Sequence, residues 1–296
     1  MLTVFSLVIT ACTPNRESAT TGNLVVATDE SFMPIMEAEQ EAFMNTYKNM
    51  KVELASTSEG RAISLFLGDS VKLIIISREL DTLEKATYAK SGIKYRSIPL
   101  ANDAVAIISH PDNPDTAMTI EQLRRIFNGE IQTWKQLDSN LGLKDSLSIV
   151  FDKGNSSNLS FLQRKLGVSS KNVKIFAAKS NAGVIEYVST HKNALGIVGL
   201  SWVSDSDSPL AVKLRESVQL TWLAESDTAE YFLPYQSDLA TGKYPLIRKA
   251  ICISRDPGVG PATGFMNYMA GDVGQRIILK MGILPHHMPS RVLEIR

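Results

Sequence analysis

The sequence is poor in the residues that build metal centres and disulfide frameworks. It contains four histidines and two cysteines, and no spacing among them matches a zinc site or a bridged pair. An excess of charge of one sign is also missing, because 31 Lys and Arg balance 31 Asp and Glu. A chain without a global positive field is not expected to bind nucleic acid. We expect no metal and no organic cofactor.

Catalytic signatures are missing as well. The sequence has no Gly-x-Ser-x-Gly nucleophile elbow, no Walker loop and no dinucleotide fingerprint. A serine nucleophile needs a base to activate it. No histidine lies in a predicted strand-to-helix loop; the four are His110, His191, His286 and His287. We therefore predict that the protein is not an enzyme, and an envelope hydrolase is the disfavoured alternative.

The apolar run at the N-terminus, "MLTVFSLVITAC", is too short to span a bilayer as a helix. Its length fits the apolar region of a signal peptide, although no Lys or Arg precedes it. The tetrapeptide ending in Cys12 resembles a bacterial lipobox, in which cleavage precedes a cysteine that receives lipid. We predict a lipoprotein signal peptide and tether over 1–22, with Cys12 lipidated; the alternative is a buried first helix or strand.

The remaining composition is that of an ordinary globular protein, with 44% hydrophobic and 21% charged residues in a chain of 296. Strand-like and helix-like segments alternate along most of the chain, which predicts an α/β fold with parallel strands covered by helices. Residues 93–109 are predicted to form two extended runs. Cys252 lies in the strand-like segment "KAICIS" and is predicted to be a buried, apolar residue.

Three loops that join a predicted strand to a predicted helix carry hydroxyl groups close to the helix start. They are residues 28–32, 56–60 and the stretch "DKGNSSN" at 152–158. Capping of the helix explains any single loop. Several helix starts that converge could instead hold a multivalent oxyanion with their N–H and hydroxyl groups. We predict that one cleft is surrounded by the following side chains: Thr28, Ser31, Ser58, Asn155, Ser156 and Ser157.

Three segments carry a resemblance to a known family. Residues 103–137 combine an apolar strand, an Asn-Pro turn, a helix ending in Ile-Phe-x-Gly, and Trp134. Residues 179–202 contain "NALGIVGLSW", and the C-terminal part contains "YPLIRKAICIS" and "FMNYMAGDVGQRIILKMGILP". In these segments the chain resembles the phosphate-binding proteins of bacterial ABC transporters, the PstS-like periplasmic binding proteins. The resemblance extends over roughly residues 23–285.

The resemblance implies a type II periplasmic-binding-protein fold with two lobes, a hinge and an anion cleft between the lobes. Lobe one would comprise residues 23–103 and 246–296, and lobe two residues 104–245. It also implies a solute-binding lipoprotein that captures an inorganic oxyanion, phosphate first, in the periplasm or cell envelope for an ABC-type permease. The alternative is a degenerate relative with a sensing or interaction role and no tight phosphate binding.

The resemblance also implies ligand-binding residues. The hydroxyls and backbone of the first two loops match the family's anion loops, and the third loop matches its Gly-Ser-Gly-Thr sequence, with Asn155 and Ser157 replacing a serine and the threonine. The implied ligand-binding residues are Thr28, Ser31, Phe32, Ser58, Gly154, Asn155, Ser156 and Ser157.

Two positions depart from the family. The family's arginine before the third loop aligns with Phe151, and its aspartate, which accepts the proton of hydrogen phosphate, aligns with Lys72. Arg78 is a candidate replacement cation, since a guanidinium can contact an oxyanion through two donors; it could equally be a surface residue paired with Glu79 or Asp81. Two further cations are treated as solvated: Arg61 and Lys153.

The missing aspartate makes selectivity an open question. The acids beside the loop hydroxyls are Asp29, Glu30 and Glu59. If one of them faces the cleft, discrimination of phosphate from sulfate survives from a new position. If none does, discrimination falls towards about tenfold or less. Weakened discrimination is the preferred expectation, because acids at a helix start already have a local capping role.

Overall fold

The computed structural model describes residues 17–290, except for 91, 93, 115, 138–145, 170–174, 205–206 and 257. The predicted lipidation site, Cys12, and most of the predicted signal peptide lie outside the described residues. Within these ranges, no helix combines the length and the apolar character that crossing a membrane requires.

The described chain alternates strands and helices for most of its length. The strands are β1 Gly22–Asp29, β2 Met50–Thr57, β3 Leu73–Ile76, β4 Arg96–Ser109, β5 Ala117–Thr119, β6 Ser148–Phe151, β7 Ile175–Ala177, β8 Ala194–Gly199, β9 Gln219–Leu220, β10 Trp222–Ala224, β11 Ile247–Ser254 and β12 Leu284–Pro285. The α-helices are α1 Met33–Thr46, α2 Glu59–Leu67, α3 Thr82–Ala89, α4 Ile120–Phe127, α5 Ser157–Leu166, α6 Asn181–Thr190, α7 Ser201–Ser204, α8 Pro209–Glu216, α9 Gln236–Ala240, α10 Pro261–Ala270 and α11 Asp272–Lys280.

The main sheet has the order β2-β1-β3-β11-β4-β8-β6-β7, with β9 and β12 attached to β4, while β5 and β10 pair separately. β2, β1 and β3 are parallel, and so are β6, β7 and β8. The two central strands break this pattern, because β11 is antiparallel to β3 and β4, and β4 is antiparallel to β8. The expectation of a parallel sheet is therefore wrong at its centre, where the chain passes between the two halves.

β4 connects the two halves as one strand of 14 residues, and the prediction of two extended runs here is wrong. Its first part, 96–104, pairs with β11, and its last part, 105–109, pairs with β8. Pro99 has no N–H to donate to a ladder, and the register of β11 shifts opposite it, between Ala250 and Ile251. This irregularity lets the strand continue through a proline. The predicted lobe boundaries lie beside this strand and stay a prediction.

The hydrophobic core extends through both halves and fixes the strands that meet between them. Tyr244, which precedes β11, is 1% exposed, and its hydroxyl donates to the Val105 carbonyl over 2.9 Å. Cys252 is buried and free, as predicted from its apolar segment. Since β4 and β11 are packed and hydrogen-bonded to each other, side chains that they carry have fixed positions at the centre of the molecule.

Candidate functional site

The first loop is organised by its own acid. Asp29 ends β1 and caps the 3-10 turn Glu30–Phe32, where its carboxylate accepts the Ser31 N–H over 3.1 Å and also the Ser31 hydroxyl. The Thr28 hydroxyl donates to the Asp29 carbonyl over 3.2 Å. These residues are all buried. Capping thus explains the local shape of the loop, as the residue types at a helix start predict.

The third loop brings a hydroxyl from the other half of the sheet to the first loop. Ser156 caps α5, because its Oγ accepts the N–H groups of Asn158 and Leu159 at 3.1 and 3.4 Å. This cap places Ser157 at the first position of α5. The Ser157 hydroxyl donates to Asp29 Oδ1 over 2.6 Å and lies 3.2 Å from Ser31 Oγ.

Arg248 supplies the cation of this site, and the sequence reasoning missed it. Its Nη2 donates to Ser31 Oγ over 2.9 Å and its Nη1 to Ser157 Oγ over 3.3 Å, while Nε donates to Asp103 over 2.9 Å. The guanidinium also stacks on Phe32, 4.7 Å from the ring centroid. The side chain is 1% exposed. One guanidinium in the centre of the sheet therefore holds a hydroxyl from each half.

A signal for Arg248 was present in the strand pattern. Side chains alternate between the faces of a strand, and Arg248 shares its face with buried Ala250, whereas Lys249 between them is exposed. An arginine at an inward position of a buried strand requires a partner, because an unpaired buried charge is costly. Asp103 on the neighbouring strand is that partner, and its register lies directly opposite Arg248.

Glu30 makes a second link between the halves. Its carboxylate accepts the backbone N–H of Asn181 at 3.2 Å and the Asn181 side-chain amide, at the start of α6. The Asn181 Oδ1 in turn accepts from Asn158 and from the Gly199 N–H, over 3.1 and 2.9 Å. A Cβ on Gly199 would lie 2.8 Å from the Ser31 carbonyl oxygen. Glycine at this position therefore permits the close approach of the first loop.

Burial shapes the ionisation of the acids in this region. Burial raises the pKa of Glu30 to about 7, and the nearby charges of Asp152 and Asp29 add to the rise. Burial also raises the pKa values of Asp152 and Asp103, and the Arg248 guanidinium opposes the rise at Asp103. In the part of the chain that the structure describes, this region contains four buried carboxylates, those of Asp29, Glu30, Asp103 and Asp152, and Asp103 is paired with Arg248. The region is rich in acceptors and favours ligands that carry protons.

The second loop meets the third at an exposed position. The Asn155 amide donates to Ser58 Oγ over 2.9 Å, and Gly154 beside it is exposed. Of the residues predicted to surround one cleft, Ser31 and Ser157 form the buried cluster, and Ser58 and Asn155 form a separate contact. Thr28 and Ser156 are buried, and their hydroxyls make the local bonds described above.

Arg78 lies in a different cluster beyond the end of β3. Its Nε donates to Glu59 over 3.1 Å, and Nη1 and Nη2 donate to the two carboxylate oxygens of Glu84 at 2.8 Å. The expected partners, the side chains of Glu79 and Asp81, are not the carboxylates that it contacts; only the Glu79 carbonyl accepts from it, over 2.9 Å. Every nitrogen of this guanidinium is committed to an acceptor within the protein.

The acid of the second loop is also committed to this cluster. Glu59 accepts the Ser77 N–H over 2.8 Å and the Ser77 hydroxyl, in addition to Arg78. It therefore does not reach the buried hydroxyls. Of the three acids considered for a role in selectivity, Asp29 contacts those hydroxyls and Glu30 lies beside them.

The two positions that depart from the family pattern lie away from the cluster. Lys72 is exposed, precedes β3, and approaches Glu17 at 3.8 Å. It lies at the opposite end of the strand from Ser77, roughly 16 Å away at the rise of a β-strand, so its alignment with a site aspartate does not identify a site residue. Phe151 is buried and packs against Phe127, with ring centroids 6.0 Å apart. The guanidinium comes from Arg248 on another strand.

Comparisons with known proteins agree with this architecture. The family model described as a PBP superfamily domain matches residues 13–273. The phosphate-binding protein PstS of Pseudomonas aeruginosa is 22% identical over 94% of this chain and 87% of its own, and PstS of Borreliella burgdorferi is 25% identical over 80% of each. A structure described as a candidate phosphate ABC transporter substrate-binding protein with bound phosphate, from Clostridium perfringens, superposes with a TM-score of 0.74 at 21% identity, covering 90% of this chain and 100% of that one.

Proposed function

We propose that this chain, which belongs to the PBP superfamily, is a solute-binding protein that captures an inorganic oxyanion, phosphate first, for a membrane transporter. It binds its ligand without chemical change. The proposed binding residues are Ser31, Phe32, Ser157 and Arg248 at the centre, with Thr28, Ser58, Gly154, Asn155 and Ser156 in the same three loops.

One observation carries the proposal. Hydroxyls of the two halves of the sheet, Ser31 and Ser157, lie 3.2 Å apart and share one buried guanidinium, Arg248. Hydroxyl and guanidinium donors that converge from two lobes suit an oxyanion, since charge-assisted bonds to a buried cation are strong. The names of the relatives, which are phosphate-binding proteins, make phosphate the first ligand to test.

The proposal extends to the lobe boundaries, the membrane anchor and the transporter partner. We place the lobes at residues 23–103 with 246–296 and at 104–245, so that β4 and the chain before β11 form the connection. We further propose a lipid anchor at Cys12, a position in the cell envelope and an ABC-type permease as partner. Replacing Cys12 with Ser should release the protein from the membrane fraction of its native cells; unchanged fractionation would refute the anchor.

Isothermal titration with phosphate, arsenate and sulfate tests the ligand. We expect phosphate and arsenate to bind, since both carry protons at neutral pH that buried acceptors can receive. Sulfate carries none, and an anion that meets an unpaired buried carboxylate is strongly disfavoured. The Arg78→Ala variant is the matched control, because its cluster lies outside the proposed site, and its affinity for phosphate should equal that of the parent.

A second candidate function has its own supporting observation. The four buried carboxylates of this region, Asp29, Glu30, Asp103 and Asp152, oppose the entry of a dianion, which favours a relative that no longer binds phosphate tightly and has a sensing or interaction role. The same titration separates the two candidates. Heat of binding with phosphate at micromolar concentration supports capture, and its absence up to millimolar phosphate supports the degenerate role.

A further inference from the structure

Three donors converge on one oxygen atom at the centre of the proposed site. Asp29 Oδ1 accepts the Ser31 N–H over 3.1 Å, the Ser31 hydroxyl, and the Ser157 hydroxyl over 2.6 Å. The oxygen thus receives a backbone N–H and two hydroxyls from separate loops. This is the kind of coordination that an oxyanion oxygen receives at converging helix starts.

The directions of the hydroxyl hydrogens follow from the cation behind them. Ser31 Oγ and Ser157 Oγ each accept from Arg248, at 2.9 and 3.3 Å. A hydroxyl has a single hydrogen to donate, and in both serines the short contact to Asp29 uses it. Each serine therefore accepts from Arg248 and donates to Asp29 Oδ1, so the hydroxyls bridge the cation and the carboxylate. In this arrangement neither hydroxyl has a hydrogen left to donate to a ligand.

Capping does not account for this arrangement. An N-cap carboxylate needs the N–H of its own turn, and Asp29 has that bond to Ser31. The bond to Ser157 is additional and joins residues separated by 128 positions in the sequence. It also holds the Asp29 carboxylate near the carboxyl groups of Glu30 and Asp152, and the negative charges of these three groups repel one another. The contact holds Asp29 against the backbone and hydroxyl donors of the two loops.

We propose that Asp29 is a tethered stand-in for the ligand, so that its Oδ1 occupies the position of an oxyanion oxygen in the ligand-free protein and phosphate binds by displacing it. The inference rests on the proposed function. The internal carboxylate competes with the ligand for the same donors. It lowers the measured affinity, because only the fraction of molecules with Asp29 displaced can bind.

The Asp29→Asn variant tests the competition. Asparagine keeps the shape and can still accept the Ser31 N–H, but it removes the charge, and bonds to a charged acceptor are roughly twice as strong as neutral ones. By isothermal titration at pH 7.5, the variant should bind phosphate about tenfold tighter than the parent, and its gain should extend to sulfate. Glu59→Gln is the matched control, since it neutralises a buried loop carboxylate that contacts Ser77 and Arg78 instead.

The outcomes separate this inference from the proposed function. Binding by the parent with equal or weaker binding by Asp29→Asn overturns the stand-in and leaves phosphate capture in place; weaker binding with lost discrimination would make Asp29 a proton acceptor for the ligand. Binding by the variant alone supports the stand-in and overturns capture by the parent. Binding by neither overturns both.

A crystal structure with phosphate gives a second readout. We expect a phosphate oxygen to contact Ser31 Oγ and Ser157 Oγ, with Asp29 turned away. Asp29 still bonded to both serines beside a bound phosphate would refute the displacement.

Discussion

Two arginine clusters lie at the loop end of the sheet, and they use the same side chain in opposite ways. Arg78 gives its donors to Glu59, Glu84 and a carbonyl, and its side chain is 28% exposed. Arg248 gives one donor to a carboxylate and two to hydroxyls, and its side chain is 1% exposed. Each guanidinium is paired with a carboxylate, but the remaining nitrogens of Arg78 serve Glu84 and a carbonyl, whereas those of Arg248 donate to the hydroxyls of two loops.

This difference shows what makes an arginine available to a ligand. Position in a strand-to-helix loop, which favoured Arg78 from the sequence, is not sufficient, because nearby acids on the same loops take up its donors. Arg248 lies in a strand, as the second residue of β11, and not in one of the predicted strand-to-helix loops. One of its partners is Asp103, and the other two are hydroxyls, which accept from the cation and can donate onward to a ligand.

The largest effect is expected from removing Arg248. Arg248→Ala leaves Asp103 buried without its cation, and breaking a buried pair in this way costs about 3–5 kcal/mol of stability. Phosphate affinity should fall by at least about 100-fold, since both hydroxyls lose their donor. Urea denaturation and isothermal titration measure the two losses.

Arg248→Lys separates charge from geometry in the same experiment. It should recover part of the stability but little of the affinity, because an ammonium lacks the planar fork that reaches two hydroxyls and a carboxylate together. Full affinity in Arg248→Lys would contradict the role that we give the fork.

The second effect is the dependence of stability on pH that arises from Glu30, whose carboxylate bonds Asn181 in the other half of the sheet. The pKa of Glu30 in the folded protein is about 7, against an ordinary value of 4.5, so the folded state binds this proton more tightly than the unfolded state. The resulting stabilisation is present below pH 4.5 and is lost as the pH rises through 7. It amounts to about 3 kcal/mol at most.

Denaturation as a function of pH checks this sign. Between pH 4.5 and 7 the free energy of unfolding of the parent should decline more steeply than that of Glu30→Gln. Glu39→Gln is a useful comparison, because burial raises the pKa of Glu39 to about 8 within α1, so it should flatten the curve at higher pH. Identical curves for the parent and Glu30→Gln would contradict the raised pKa.

A third, smaller effect distinguishes the buried hydroxyl contact from the exposed one. Ser157→Ala removes a group that bonds both Asp29 and Arg248, and we expect phosphate affinity to fall about tenfold. Ser58→Ala removes a hydroxyl whose described contact is the exposed Asn155 amide, and the loss should be about threefold or less. A larger loss in Ser58→Ala than in Ser157→Ala would move the centre of the site to the exposed contact.

The smallest effect on binding is expected from Arg78. Arg78→Ala should leave phosphate affinity within about twofold, because each nitrogen of the guanidinium serves an acceptor within the protein. Stability should fall by about 1 kcal/mol, since the Arg78 side chain is 28% exposed and its ion pairs are screened by solvent. Thermal unfolding and titration together check this. A loss of affinity as large as that in Arg248→Ala would break the comparison between the two clusters.

Local pattern was sufficient for several features. The hydroxyl-rich loops after β1, β2 and β6 were visible as turn and capping residues between apolar runs, because helix starts have a chemical signature. The two-lobed family fold was confirmed by the match to the PBP superfamily. Local pattern failed at β4, where two extended runs were predicted and one strand continues through Pro99. It failed also at Lys72, whose alignment with the family's aspartate placed a site position at the wrong end of β3.

Apart from β4, the sequence by itself determined the alternation of strands and helices and the loops with hydroxyls, because periodicity and capping act between residues that are close along the chain. Only the tertiary structure decided that Arg248 reaches Ser31 and Ser157, and that Asp29 rather than Glu59 faces them. Those contacts join residues on different strands, and their energies depend on burial and on which acceptors lie within reach. Neither the burial of a charged group nor the acceptors within its reach follow from residues that are adjacent in sequence. The assembled sheet therefore decides which charged groups meet at the site.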